Sequence, residues 1–110
     1  MIAQDPSPLD RSFAALAHPV RRRIVESTTR RGRGVTELAQ QFDISLPAVS
    51  KHLRVLEDAG LITREVSGRD HLIRAEPREL ERVRRWIERQ TTFWRQALAQ
   101  LKADLENDRS

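Results

Sequence analysis

The chain has 110 residues, with 18 Arg, 2 Lys and 16 Asp plus Glu, for a formal net charge of +4 and a pI near 10.9. It contains no Cys, which excludes a disulfide framework, a thiolate nucleophile and a Cys-rich zinc site. No apolar run approaches the ~18 residues of a membrane span, and Met1 to Pro6 lack the basic and apolar regions of a signal peptide, so the expected location is the cytoplasm.

Leu, Ile, Val and Phe number 28, enough for one small core. The expected division is a lead-in over 1–8, one domain over 9–106 and a tail over 107–110. Basic and acidic groups number 7 and 3 in residues 1–36, 5 and 7 in 37–76, and 8 and 6 in 77–110. This is a mixed-charge globular surface without a polybasic arm. Arginine suits phosphate and guanine edges, so the basic excess is a first, weak pointer to nucleic acid.

Apolar residues at Leu9, Phe13, Leu16 and Ala17 predict a first helix with that face inward. His18-Pro19 ends it and starts a second, whose stripe runs through Val20, Ile24 and Val25 to about Thr29. Arg30 to Gly34 is a glycine-punctuated turn. Thr36 is the expected N-cap of a short helix over Glu37–Gln41, with Leu38 and Phe42 inward. Asp43-Ile44 makes a tight link. Ser45 then caps a helix running to about Ala59, and Gly60 is a good C′ residue. Two helices joined by a short turn, the second one capped, form a helix-turn-helix pattern.

Residues 61–66 and 71–75 are β-capable runs flanking Ser67-Gly68-Arg69-Asp70, which predicts a hairpin. A hairpin directly after a helix-turn-helix is a wing. From Pro77 to about Glu106 neither Gly nor Pro interrupts. Leu80, Val83, Ile87, Trp94, Leu98, Leu101 and Leu105 share one side of a helical wheel, and Trp86, Phe93 and Ala97 widen that arc. The predicted helix is about 45 Å long. Part of its arc is expected to pack on its own domain and the rest on another chain. The expected fold class is therefore mainly α with a small β-hairpin: a winged helix-turn-helix with a long C-terminal dimerisation helix.

In the helix after Ser45, the residues Leu46, Val49, Leu53 and Leu56 cluster on one side. Pro47, Ala48, Lys51 and Arg54 lie roughly opposite, with Ser50 and His52 on the flanks. Small groups near the N-terminus and cations further along suit a helix whose first turns approach base edges in a major groove. Ser and Lys contact phosphates or bases, and Ala48 suits a thymine methyl. The same pattern also fits an ordinary amphipathic helix with a solvated face. What favours DNA is the order helix, turn, capped helix, glycine, hairpin.

At this point residues 10–100 resemble the ArsR-type winged helix-turn-helix repressors. The resemblance rests on Leu16-Ala17-His18-Pro19-Val20-Arg21-Arg22-Arg23-Ile24-Val25, on Val35-Thr36-Glu37-Leu38-Ala39, and above all on the run from Pro47 to Ile62. Gly68-Arg69 and the tail residues Trp86-Ile87-Glu88 and Phe93-Trp94 fit as well. The resemblance implies a homodimeric bacterial regulator that binds double-stranded DNA. Carried over by position, it expects DNA contacts from Ser45, Pro47, Ala48, Ser50, Lys51, His52, Arg54, Gly68 and Arg69. Two departures stand out. His18 replaces a frequent Asp and is expected to be a poorer cap, and Asp70 beside Arg69 weakens phosphate attraction.

Many relatives sense metals through thiols near Gly34-Val35-Thr36-Glu37 or through His on the last helix, and this chain has neither. No metal and no cofactor are expected. Arg21, Arg22 and Arg23 point about 100° apart on a helix, which favours separate salt bridges and solvation over one patch. Ser50 and His52 are two apart and turned away from each other, and no nucleophile-elbow glycines occur, so an enzyme is not expected. The alternatives are a helical adaptor using the last helix to bind protein, and a regulator with an apolar effector seated near Trp86, Phe93 and Trp94.

Overall fold

The computed structural model describes residues 6–108. The order is α1 (Pro8–Leu16), α2 (Pro19–Arg30), β1 (Arg33–Gly34), α3 (Val35–Phe42), α4 (Leu46–Asp58), β2 (Ile62–Ser67), β3 (Asp70–Ala75) and α5 (Pro77–Asp108). The helical lead therefore begins one residue inside the expected lead-in, and α5 runs two residues into the expected tail. Residues 1–5 and 109–110 of those two segments lie outside the described residues. The chain divides into two compact units between Leu80 and Glu81.

The core of the first unit is built from α1, α2, α3, α4 and the hairpin. Ile24, Leu38, Val49, Leu53, Leu56, Leu61 and Ile73 are fully buried. Each such side chain contributes roughly 1.5–3 kcal/mol of transfer free energy. Leu16, Val20, Phe42, Ile44 and Leu80 pack at the margin of this cluster.

Local chemistry sets the helix ends. At α1, the Ser7 hydroxyl accepts from the Asp10 N–H at 3.1 Å and the Asp10 carboxylate accepts from the Ser7 N–H at 3.0 Å, a reciprocal capping box. The buried face of α1 is Ser12 and Ala15, while Phe13 and Ala17 are exposed. Of the expected face, Leu16 packs against the core and Leu9 is half-buried, while Phe13 and Ala17 turn outward and Ser12 and Ala15 take the buried positions. The reason is a tertiary one: the Ser12 hydroxyl donates to the buried Glu79 carboxylate at 2.7 Å, and a polar pair at the interface is invisible to an apolar count.

His18 proves an effective cap. Its backbone is extended and its Nδ1 accepts from the Val20 N–H at 3.2 Å. Arg21 and Arg22 are not free for salt bridges. Arg21 Nε donates to the Ala15 carbonyl at 2.7 Å and Arg22 Nη1 to the Leu16 carbonyl at 2.7 Å, satisfying orphan acceptors at the end of α1.

The sheet has three strands in the order β1-β3-β2, one more than the hairpin read from sequence. Arg33 pairs with Ile73 and Gly34 with Leu72. A two-residue strand inside an arginine-glycine turn leaves no alternation to read. Here Gly32 is needed for space, since a Cβ would lie 2.8 Å from Leu72 Cγ. Helix α3 starts two residues earlier than expected, with Gly34 and not Thr36 at the N-cap. The Glu37 carboxylate accepts from the Gly34 N–H at 3.4 Å and is paired with Arg31 and Arg33.

In the second unit, Ile87, Phe93, Trp94, Leu98, Leu101 and Leu105 are 47–63% exposed. Arg84 bonds Glu81 at 2.6 Å and also pairs with Glu88. Such i,i+3 and i,i+4 pairs make a solvated flank of the helix.

Candidate nucleic-acid interface

Helices α3 and α4 are joined by Asp43, Ile44 and Ser45. Asp43 takes a left-handed backbone, φ 52° and ψ 49°, which Asp tolerates better than most side chains. The Ile44 N–H returns to the Ala39 carbonyl at 3.1 Å, and its side chain packs against the core. The chain then redirects into α4, where the Ser45 hydroxyl accepts from the Ala48 N–H at 3.2 Å. Pro47 sits in the first turn, where its missing N–H costs nothing. At the far end Gly60 adopts φ +75°, the left-handed exit that glycine supplies.

The apolar stripe of α4 fixes which side faces out. Val49, Leu53 and Leu56 are fully buried. Ser45, Pro47, Ser50, Lys51 and Arg54 are exposed, and Ala48 is half-buried among them. Leu46 departs from its expected inward position and is 48% exposed, because it opens the helix before the core is reached.

His52 also departs. Its ring lies against His18, with centroids 4.6 Å apart and planes tilted by 54°. Its Nδ1 is buried without a hydrogen-bond partner. Burial first, then the neighbouring charges of His18, Arg21 and Lys51, hold its pKa below the ordinary imidazole value. The ring thus meets the N-cap residue of α2, and His52 as a whole is half-buried. His18 and His52 stand 34 positions apart, and no local spacing could have linked them.

The wing follows. β2 and β3 pair antiparallel from Ile62↔Ala75 to Ser67↔Asp70. Gly68, at φ +63°, occupies the first central position of a two-residue turn, where glycine is favoured. Gly68 and Arg69 are both exposed. Sequence reasoning missed the bonds beneath this tip. Arg64 donates to Glu57 Oε1 from Nη2 at 2.6 Å, and from Nη1 to His71 Nδ1 at 3.0 Å.

Of the expected dimerisation set, Leu80 packs against the core cluster and Val83 is buried. Ile87, Trp94, Leu98, Leu101 and Leu105 remain exposed. Among the described residues, no three His, Asp or Glu side chains come together as metal ligands. No helix among them is long and apolar enough to cross a membrane.

Comparison with known proteins agrees with this geometry. The pattern of a helix-turn-helix domain matches residues 16–65, from the end of α1 to the middle of β2. The chain is 39% identical over 89 residues to the HTH-type transcriptional regulator Rv2034 of Mycobacterium tuberculosis, covering 81% of this chain and 80% of that protein. The solved ArsR-like transcriptional regulator from Rhodococcus sp. RHA1 superposes with a TM-score of 0.82 at 32% identity, over 91% of this chain and 92% of that one. The chain belongs to the ArsR family of winged helix-turn-helix transcriptional regulators. A further relative is the HTH-type transcriptional repressor SmtB of M. tuberculosis, 41% identical over 69 residues. That match covers 63% of this chain and 51% of SmtB. In this ArsR-family member, α3 and α4 are the helix-turn-helix and β2–β3 is the wing.

Proposed function

We propose that this regulator is a cytoplasmic repressor that binds an inverted-repeat operator as a homodimer. Helix α4 enters the major groove with Ser45, Pro47, Ala48, Ser50, Lys51 and Arg54, while Gly68 and Arg69 follow the backbone from the wing. His52 supports α4 from behind through His18. The observation that carries the reading is the division of α4 into a fully buried apolar stripe and an exposed face of small, hydroxyl and cationic side chains. The name of SmtB supports the repressor assignment. The exposed apolar residues of α5 support pairing with a second copy, since large exposed apolar patches mark interaction sites.

Two half-sites about one DNA turn, ~10 bp, apart follow from a two-fold dimer. Each phosphate neutralised contributes about 0.9 to the log–log salt slope of binding. The wild type should therefore bind operator with a steep slope, and Arg69→Ala should flatten it by about 0.9 per chain. Titrations of labelled duplex from low to moderate salt measure both. A salt-independent wild type would overturn the DNA-binding reading, and an unchanged slope in Arg69→Ala would remove Arg69 from the phosphate contacts.

A further inference from the structure

Beyond its backbone ladder and an exposed Glu65–Arg74 pair, the tip of the wing has little to hold it in place. Residues 65–70 are all exposed, so no buried side chain anchors that stretch. A cleft of about 500 Å³ lies beside it, lined by Thr36, Arg64, Arg69 and His71 among others. Arg64 is the last half-buried residue before the tip, and His71 is the first after it. These two residues flank the tip and bond each other across the hairpin at 3.0 Å. The same guanidinium reaches out of the sheet to α4. Nε and Nη2 both donate to Glu57 Oε1, at 3.2 and 2.6 Å. Arginine only donates, so His71 presents an unprotonated Nδ1.

One planar group thus spans the two DNA-facing elements. A forked guanidinium with three directional bonds fixes orientation, where the point charge of a lysine would not. Glu57 lies in the last turn of α4, beyond Lys51 and Arg54, on the side turned toward the hairpin. Both side chains are partly buried, with 25% of Arg64 and 34% of Glu57 exposed, so solvent screens this pair less than a fully exposed one.

We infer that Arg64 is a positioning residue for DNA recognition: through Glu57 and His71 it sets the wing at the distance and angle from α4 at which Arg69 meets the backbone while α4 sits in the groove. This rests on the DNA-binding reading above. Arg64 itself is not assigned a phosphate.

The test is a pair of crossed substitutions read by the salt slope. In the wild-type background Arg69→Ala flattens the slope by about 0.9 per chain. In an Arg64→Gln background the wing is already misplaced, so adding Arg69→Ala should change the slope no further. Glu57→Gln, which attacks the same bond from the helix side, should give the same result. The charge swap Glu57→Arg with Arg64→Glu should restore part of the lost affinity. Arg64→Lys should behave like Arg64→Gln, since it keeps the charge but loses the fork. A further drop in slope when Arg69→Ala is added to Arg64→Gln would overturn the inference, because it would mean that the wing stays seated without Arg64. A drop from Arg64→Gln that Glu57→Gln does not reproduce would also overturn it, making Arg64 a direct phosphate contact. A wild type without salt-dependent DNA binding would instead sink the reading beneath it, so the two failures are told apart.

Discussion

His52 sits on α4 with its ring against His18 and its Nδ1 buried and unpartnered, which ties its protonation to the stability of the fold. Its pKa is lowered in the folded chain by burial and by the adjacent positive groups. The unfolded chain therefore takes up a proton first as pH falls, near the ordinary imidazole value of about 6.5. The neutral ring's contribution is complete above that pH and is lost as pH falls through the lower folded value. The unfolding free energy should fall between pH 7 and pH 5, and His52→Gln should reduce that fall. Chemical denaturation at stepped pH measures it, and superimposable pH profiles for the two proteins would refute the coupling. The sequence placed His52 on the flank of its helix correctly. It did not show what the flank faced, because that depends on where the start of α2 is packed.

The helix-turn-helix is largely legible in the sequence, and the reason is chemical. Ser45 as a cap, Pro47 in the first turn and Gly60 past the end are each local signals, and the structure uses all three. The start of α3 lies two residues before the expected one because Thr and Gly are both suitable N-cap residue types, and the Glu37 carboxylate, bonded to the Gly34 N–H, goes with Gly34 at the cap. The face of α1 was misread because Ser12 answers Glu79, which lies 67 positions away. The rotation of α4 gives a direct prediction. Ser50, Lys51 and Arg54 lie opposite a fully buried stripe, so alanine at each should leave the stability within about 0.5 kcal/mol of wild type. Each should nevertheless weaken binding to operator DNA. Thermal unfolding alongside a binding titration separates the two effects, and a large stability loss in Lys51→Ala would show that the helix is turned the other way.

The account of the whole molecule depends on α5. Its length and its apolar periodicity were plain from the sequence, since nothing between Pro77 and Glu106 breaks a helix. Where the arc stops serving its own chain was not, because a periodic stripe looks the same whether it meets its own core or a partner. In the structure Leu80 packs against the core of the first unit and Val83 is buried, while Trp94, Leu98, Leu101 and Leu105 are each more than half exposed. Covering such side chains with a second copy contributes roughly 1.5–3 kcal/mol for each one fully buried. A single short helix making few base contacts is too weak on its own, so the dimer and the operator are one claim. The most direct measurement is binding of the wild type and of Leu98→Glu with Leu101→Glu to an inverted repeat selected from random duplex DNA, with the mass of each protein checked by light scattering. The account predicts a wild-type dimer that binds the repeat, and a monomeric double mutant that has lost specific binding although α4 and the wing are intact. A wild type that is monomeric, or a double mutant that still binds the repeat at native affinity, would contradict it.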